Sequence, residues 1–337
     1  MLNPKPGVVN VEITRRCQNN CYFCFVLTRN DGYPRNAEMS LENFKKIIDL
    51  LAEHVPDTEF GYMGGEPVLH RDFFEMARYV RESTSYNVHV STNGLKFADL
   101  SFTRKFLDSE AVDGVQVTIH SCFAEVHDKM VGRAGAWEKT VKGLKNLIKE
   151  GGTPSTNTSL TKLNAPHFLE TMEFLAELGV RGISVNLATP MNKKVIETNT
   201  IINDREFASI VLKAQKKAEE LGVSLNTLHS YNLCVFNPIP FGLRHYPCSM
   251  GSCMCYIDVG CNLLACYYYS VKIGNVIEEG LEKLWHSEKY NYFRRREYLK
   301  KLSPACLSCK ALNSCGGPCP LRLPLDKEHL HPYKSFY

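Results

Sequence analysis

Apolar residues fall into short runs along the first two thirds of the chain, separated by stretches in which they recur every three or four residues. The runs predict strands at Val8–Ile13, Glu59–Met63, Asn87–Thr92, Gly114–His120, Ser155–Thr161 and Gly182–Leu187. Between them, Leu41–Ala52 carries Leu41, Phe44, Ile48 and Leu51 on one helical face, with Ser40 placed to cap it. Arg71–Ser85, Trp137–Glu150, Ala165–Leu178 and Asp204–Leu221 read as helices too, and Gly151 and Gly179 stop two of them.

Strand–helix repeats of this kind predict an α/β fold, with a parallel sheet and its helices outside. Handedness leaves a doubly wound sheet or an incomplete barrel, and both put a site at the carboxyl ends of the strands. From about residue 228 the rhythm gives way to a hairpin, Tyr256–Val259 with Leu263–Tyr268, and a helix holding Leu281, Leu284 and Trp285. The expected division is 1–227 and 228–337.

Composition narrows the class. The 337 residues are 44% hydrophobic and 23% charged, with a net charge of +4, which gives no footprint for nucleic acid. The basic run from Arg294 to Lys301 reads as a solvated helix face. No segment approaches the ~20 apolar residues of a membrane span, and the N-terminus lacks a secretory core, so a cytoplasmic setting is expected. There the 14 cysteines point to metal and not to disulfides. Three open the chain, nine lie between Cys248 and Cys319, and Cys122 and Cys234 stand alone.

Cys17, Cys21 and Cys24 follow the first strand in a C-x3-C-x2-C spacing. Three thiolates on one loop can hold a cluster and leave one iron open, where closed zinc and cubane sites take four. A zinc knuckle completed from afar, or three unrelated thiols, are the alternatives. With Phe23 before the last cysteine, the spacing resembles that of the radical S-adenosylmethionine (radical SAM) family. The resemblance implies a six-stranded partial barrel and a [4Fe-4S] cluster whose open iron is chelated by S-adenosylmethionine. It also implies release of a 5′-deoxyadenosyl radical that abstracts hydrogen, with a reductant such as flavodoxin or ferredoxin.

Further motifs carry the resemblance. Gly64-Gly65-Glu66-Pro67 resembles the family's GGEP motif, which implies cofactor contact by Gly64, Gly65 and Glu66; by itself it is a tight turn. Thr92-Asn93-Gly94 resembles the TNG turn, implying contacts from Thr92 and Asn93. Thr118 stands where relatives have the Ser of Ser-Leu-Asp-Gly, while His120 and Ser121 replace the last pair. His120 is either a proton carrier or a hydrogen-bonded structural residue. Asn157, Thr161 and Asn186 point to the same rim without assigned roles.

The second cysteine field resembles the SPASM extension at Cys248, Cys266, Cys306, Cys309, Cys315 and Cys319. This implies one auxiliary [4Fe-4S] cluster on Cys248, Cys266 and Cys319, with Cys253 or Cys255 as fourth ligand. A second would use Cys306, Cys309 and Cys315, and its last cysteine is missing. Asp326, His329 or His331 could replace it; alternatively the site is open, or a single auxiliary cluster forms as in twitch-type relatives. Cys261 occupies the hairpin-glycine position and reads as a turn residue. Tyr267 stands where sulfatase-maturing relatives carry an Asp base, against that activity. Cys122, Cys234 and Cys255 are either buried thiols or hydrogen donors; Cys234, Cys255, His120 and Tyr267 are the catalytic candidates.

The leading expectation is hydrogen abstraction from a peptide or protein, giving oxidation, a crosslink or an epimer. With the first strand near residue 8, any leader-binding domain is expected on a separate protein. Dehydrogenation or epimerisation of a sugar-like metabolite, or tailoring of a tetrapyrrole or other cofactor, is the alternative enzyme reading. A non-catalytic electron carrier explains the cysteines but not the motifs that end successive strands.

Overall fold

The computed structural model describes residues 5–321 except 30, 190–198, 229 and 269–270. Its strands are β1 (Val8–Thr14), β2 (Glu59–Gly64), β3 (Asn87–Thr92), β4 (Gly114–Thr118), β5 (Ser155–Leu160), β6 (Gly182–Leu187), β7 (Ser224–Thr227), β8 (Met254–Ile257), β9 (Asn262–Leu264) and β10 (Lys272–Asn275). They make one sheet in the order β10-β9-β8-β1-β2-β3-β4-β5-β6-β7. Strands β1 to β7 run parallel to their neighbours, as the strand–helix alternation predicts. The seventh strand is an addition to the six expected: a polar run, Ser224-Leu-Asn-Thr227, without the apolar alternation that marks the others.

The helices Leu41–His54, Phe73–Ser83, Ala136–Lys149, Phe168–Glu177 and Asp204–Leu221 lie within a residue or three of expectation. Ser40 caps the first through its side chain, which accepts from the Asn43 amide at 3.1 Å. Gly151 and Gly179 take positive φ, 92° and 97°, where a helix must stop and turn. Leu100–Asp108 and Ala124–Val131 went unread from the sequence. Both are short, nine and eight residues, and the second buries a polar His127 beside Met130 and Val131, so each offers few turns over which a period can be read.

One face of the sheet packs under the helices. Val9, Val11, Val88, Val90, Val117, Ile183 and Val185 are buried there with Phe44, Phe73, Leu144 and Phe207. The alternate positions face the barrel interior, as the two-residue period of a strand requires, and most of them are polar, with Val8 and Met63 as apolar exceptions. Gln116 on β4 donates to Ser184 on β6 across β5 at 3.4 Å, which places both on the concave side.

The sheet does not stop at residue 227. Strand β8 pairs in parallel with β1, Asn10 opposite Tyr256, and turns back antiparallel into β9. The cysteine-rich region thus extends the barrel sheet past its first strand. Among the described residues no helix is long and apolar enough to cross a membrane.

Candidate functional site

The cysteine loop leaves the carboxyl end of β1 and lies against the ends of β2 and β3. Gly65 N donates to the Thr14 carbonyl and Glu66 N to the Arg16 carbonyl, each at 2.7 Å. A Cβ at Gly65 would stand 2.3 Å from the Arg16 carbonyl oxygen and 2.6 Å from that of Arg15. At Gly64, where φ is 140°, it would meet the Thr14 carbonyl at 2.1 Å. The glycine pair therefore serves a close approach of backbone to the entrance of the cysteine loop.

Glu66 is fully buried. Its carboxylate accepts from Thr92 Oγ1 and from the Asn93 amide, both at 2.7 Å. Burial raises its acid to about 7, against the pull of those bonds. Asn93 passes the link on: its Nδ2 donates to Gln18 Oε1 at 3.0 Å and to Cys17 Sγ at 3.6 Å. The GGEP segment, the TNG turn and the first cysteine thus form one hydrogen-bonded unit. Arg35 and Arg133 hold the loop from outside, donating to the Asn19 and Gln18 carbonyls.

Cys17, Cys21 and Cys24 feel one another's charge, so the loop gathers all three sulfurs. Burial pushes the Cys17 thiol up to about 11 and raises Cys21 and Cys24 too, which keeps them neutral until a metal displaces their protons. Among the described residues no three Cys, His, Asp or Glu side chains converge as tightly as one ion requires. Three soft donors on one loop, one short of a closed tetrahedral site, suit an iron–sulfur cluster with an open iron better than a zinc knuckle, which takes four.

The other site residues lie around this unit. The Phe23 ring meets the His120 ring edge-on at 5.2 Å. His120 is a buried, hydrogen-bonded histidine: its Nδ1 accepts from the Ser159 amide at 3.3 Å and its amide donates to His127 Nδ1 at 3.1 Å. Burial lowers both imidazoles, so both are neutral near pH 7. Thr118 is half-buried on the interior face, opposite Asn157, with Ser184 next in register and Ser159 beside Asn186. The Oδ1 atoms of Asn157 and Asn186 are buried without a hydrogen-bond partner among the described residues, two acceptors able to take N–H or O–H donors from a bound molecule. Thr161 instead bonds Asn164.

In the C-terminal field, the Tyr298 phenol sits among Cys248, Cys319 and Cys266; burial first, then these sulfurs, push its pKa up. Cys253 lies in reach of Cys248. Those four are the set the resemblance assigned to the first auxiliary cluster. A Cβ at Gly316 would meet the Cys248 amide at 2.4 Å, so this glycine lets the Cys315–Cys319 stretch close on Cys248. Cys306 and Cys315 lie on two short helical turns, Pro304–Leu307 and Leu312–Cys315, and Cys309 lies in the link between them. Asp326, His329 and His331 fall outside the described residues. Cys261 sits in the hairpin turn at φ 66°. Cys255 is fully buried opposite Val9 on the helix-facing side of β8, which turns it away from the barrel interior. Cys234 is exposed. Tyr267 packs against Phe25 and Tyr256.

Sequence reasoning gave no role to Glu12, Arg15, Arg29 and Asp31, which make a buried ionic network beside the cysteine loop. The Arg15-Arg16 pair just before the first cysteine was the available signal. A small cavity lined by Phe106, Val115, Leu147 and Pro154 lies at the amino ends of β4 and β5, away from this unit.

Residues 11–163 match the model of the radical SAM superfamily, and residues 248–310 match that of SPASM, an iron–sulfur cluster-binding domain. The AdoMet-dependent heme synthase of Oleidesulfovibrio alaskensis is 24% identical over 94% of this chain and 83% of its own. The tungsten-containing aldehyde ferredoxin oxidoreductase cofactor-modifying protein of Pyrococcus furiosus is 27% identical over 90% of this chain and 87% of its own. Among solved structures, Streptococcus suis SuiB bound to its precursor peptide SuiA superposes with a TM-score of 0.76 at 17% identity, covering 97% of this chain and 75% of SuiB.

Proposed function

From the premise that the chain belongs to the radical SAM superfamily and carries a C-terminal SPASM iron–sulfur domain, we propose that Cys17, Cys21 and Cys24 hold the cluster on which S-adenosylmethionine is cleaved. When bound, the cluster and S-adenosylmethionine supply a one-electron reductive cleavage and the hydrogen abstraction that follows it. The observation that carries the reading is the continuous link from Glu66 through Asn93 to Cys17.

The chain's own residues have separable tasks. The Gly64–Gly65 backbone sets the loop against β2. Glu66 fixes the Thr92–Asn93 turn, and Asn93 orients the Cys17 sulfur. Thr118, Asn157 and Asn186 offer hydroxyl and amide groups to polar atoms of cofactor or substrate within the barrel. Cys248, Cys253, Cys266 and Cys319 hold an auxiliary cluster, and Cys306, Cys309 and Cys315 contribute to a second. Residues 1–227 and 228–337 are then two functional regions on one sheet.

For substrate, the heme synthase and cofactor-modifying relatives put tailoring of a tetrapyrrole or similar cofactor first. The peptide expectation comes second: SuiB shows that this fold accommodates a precursor peptide, and likeness at 17% identity carries the fold alone. The test is anaerobic reconstitution, reduction, and measurement of 5′-deoxyadenosine with and without an iron porphyrin. A rate raised by the porphyrin, with a mass change in it, supports the reading. A response confined to peptides moves the second reading to first, and no cleavage at all removes both.

A further inference from the structure

The chain between Cys24 and the helix Leu41–His54 touches both cysteine-rich regions. A short helix, Phe25–Thr28, starts right after Cys24. Phe25 packs edge-on against Tyr267 and Tyr268 at 5.1 and 5.4 Å, just past Cys266. Arg29 then reaches three elements at once. Its guanidinium pairs with Glu12 on β1, donates from Nε to Asp31 at 2.5 Å, and donates from Nη1 to the Tyr267 carbonyl at 3.3 Å. Arg15, two residues before Cys17, donates to Asp31 at 2.5 Å and to the Val26 carbonyl. Beyond them, Tyr33 Oη accepts from Asn262 Nδ2 at 2.8 Å and from Lys272 Nζ at 3.1 Å, both on the C-terminal strands.

The side chains of Glu12, Arg29 and Asp31 are at most 2% exposed, and two guanidiniums balance two carboxylates. A buried ionic set of this kind is a poor source of net stability, because desolvation offsets the attraction. What it does well is fix one arrangement. The planar Arg fork holds its partners at set angles, which a lysine cannot do, and here those partners are β1, the segment after the cysteines, and the hairpin that carries Cys266.

We infer that Arg29 is a positioning residue that couples the auxiliary hairpin to the three-cysteine loop, so that the C-terminal cysteine region sets the geometry of the N-terminal one. The inference rests on the reading of Cys17, Cys21 and Cys24 as cluster ligands. A shift of the hairpin at Tyr267 moves Arg29, and with it the helical turn that begins at Cys24.

The test uses full-length protein, reconstituted anaerobically and reduced, with electron paramagnetic resonance read as S-adenosylmethionine is added. Arg29→Lys keeps the charge and loses the fork. Glu12→Gln with Arg29→Met removes both charges and strands neither, which serves if the lysine variant folds poorly. Expected are wild-type iron content and a half-effect concentration of S-adenosylmethionine raised about tenfold, the usual scale for losing a residue behind a metal ligand. Cys266→Ala should weaken the response of the wild type and add nothing in the Arg29→Lys background. A wild-type response in the folded variants, or an additive effect of Cys266→Ala, overturns the coupling. Replacing Cys17, Cys21 and Cys24 together by Ala decides the premise separately: a response that survives there overturns the cluster reading, and the coupling with it.

Discussion

Asn93 Nδ2 donates to Cys17 Sγ at 3.6 Å, so a residue from the end of the third strand touches the first sulfur of the cysteine loop. A donor on a thiolate stabilises its negative charge and fixes its direction. Asn93→Ala is therefore expected to keep the iron and lower the rate of 5′-deoxyadenosine formation by about 10- to 100-fold. The assay is single-turnover cleavage against iron content, and a wild-type rate would show that the contact does no chemical service.

The Glu66 acid stands at about 7 in the fold against an ordinary 4.5. Its protonated form is thus favoured by folding. The associated stability is complete below about pH 4.5, declines as pH rises toward 7, and is absent above that. The full span is on the order of 3 kcal/mol. Melting curves of wild type and Glu66→Gln between pH 5 and 8 should diverge, with the wild type falling faster as pH rises. Parallel curves would show that Glu66 titrates near its ordinary value.

Gly65 and Gly151 separate two reasons for a glycine. A Cβ at Gly65 meets carbonyl oxygens of Arg15 and Arg16, backbone that cannot swing aside, whereas at Gly151 it meets nothing within 4 Å. Gly151→Ala should cost only the strain of its φ of 92°, ~1–2 kcal/mol. Gly65→Ala should cost ~1–3 kcal/mol or more and also lower iron bound by the N-terminal loop. Equal losses of iron in the two variants would contradict this account.

Cys255 faces the helical layer, where burial lifts its thiol to about 12. Cys255→Ala is expected to lower stability modestly, ~1 kcal/mol for a small buried group, and to leave product formation intact. Loss of product with cleavage preserved would restore it as a hydrogen donor.

Among the described residues, nothing donates to the Oδ1 acceptors of Asn157 and Asn186. Asn186→Ala should therefore leave the melting temperature near wild type while raising the KM for S-adenosylmethionine or substrate. A lowered melting temperature with unchanged KM would mark Asn186 as structural.

Much of the fold was legible because its strands and helices declare themselves by period: β3, β6 and the helix Asp204–Leu221 carry their expected bounds. The motifs at the ends of β1, β2 and β3 were legible as neighbours, since a parallel sheet brings successive carboxyl ends together. Their internal wiring was not. Nothing in the spelling of Gly64-Gly65-Glu66 tells that the carboxylate turns to Thr92 and Asn93, because that depends on register between strands. The network of Glu12, Arg15, Arg29 and Asp31 escaped for the same reason: half its meaning lies at Tyr267, over 200 residues on. The short polar strand β7 had no period to read.

By pairing along β1, strand β8 uses up the outer backbone edge of the first barrel strand, the side on which a partial barrel is open to recruiting other chains. Of the parallel strands described, only β7 ends the sheet on an unpaired side. The barrel so acquires a finished flank and an unfinished one. On that unfinished flank Asn226 stands opposite Ser184 of the interior face, and a bulky label there would crowd the open side without disturbing a single cysteine.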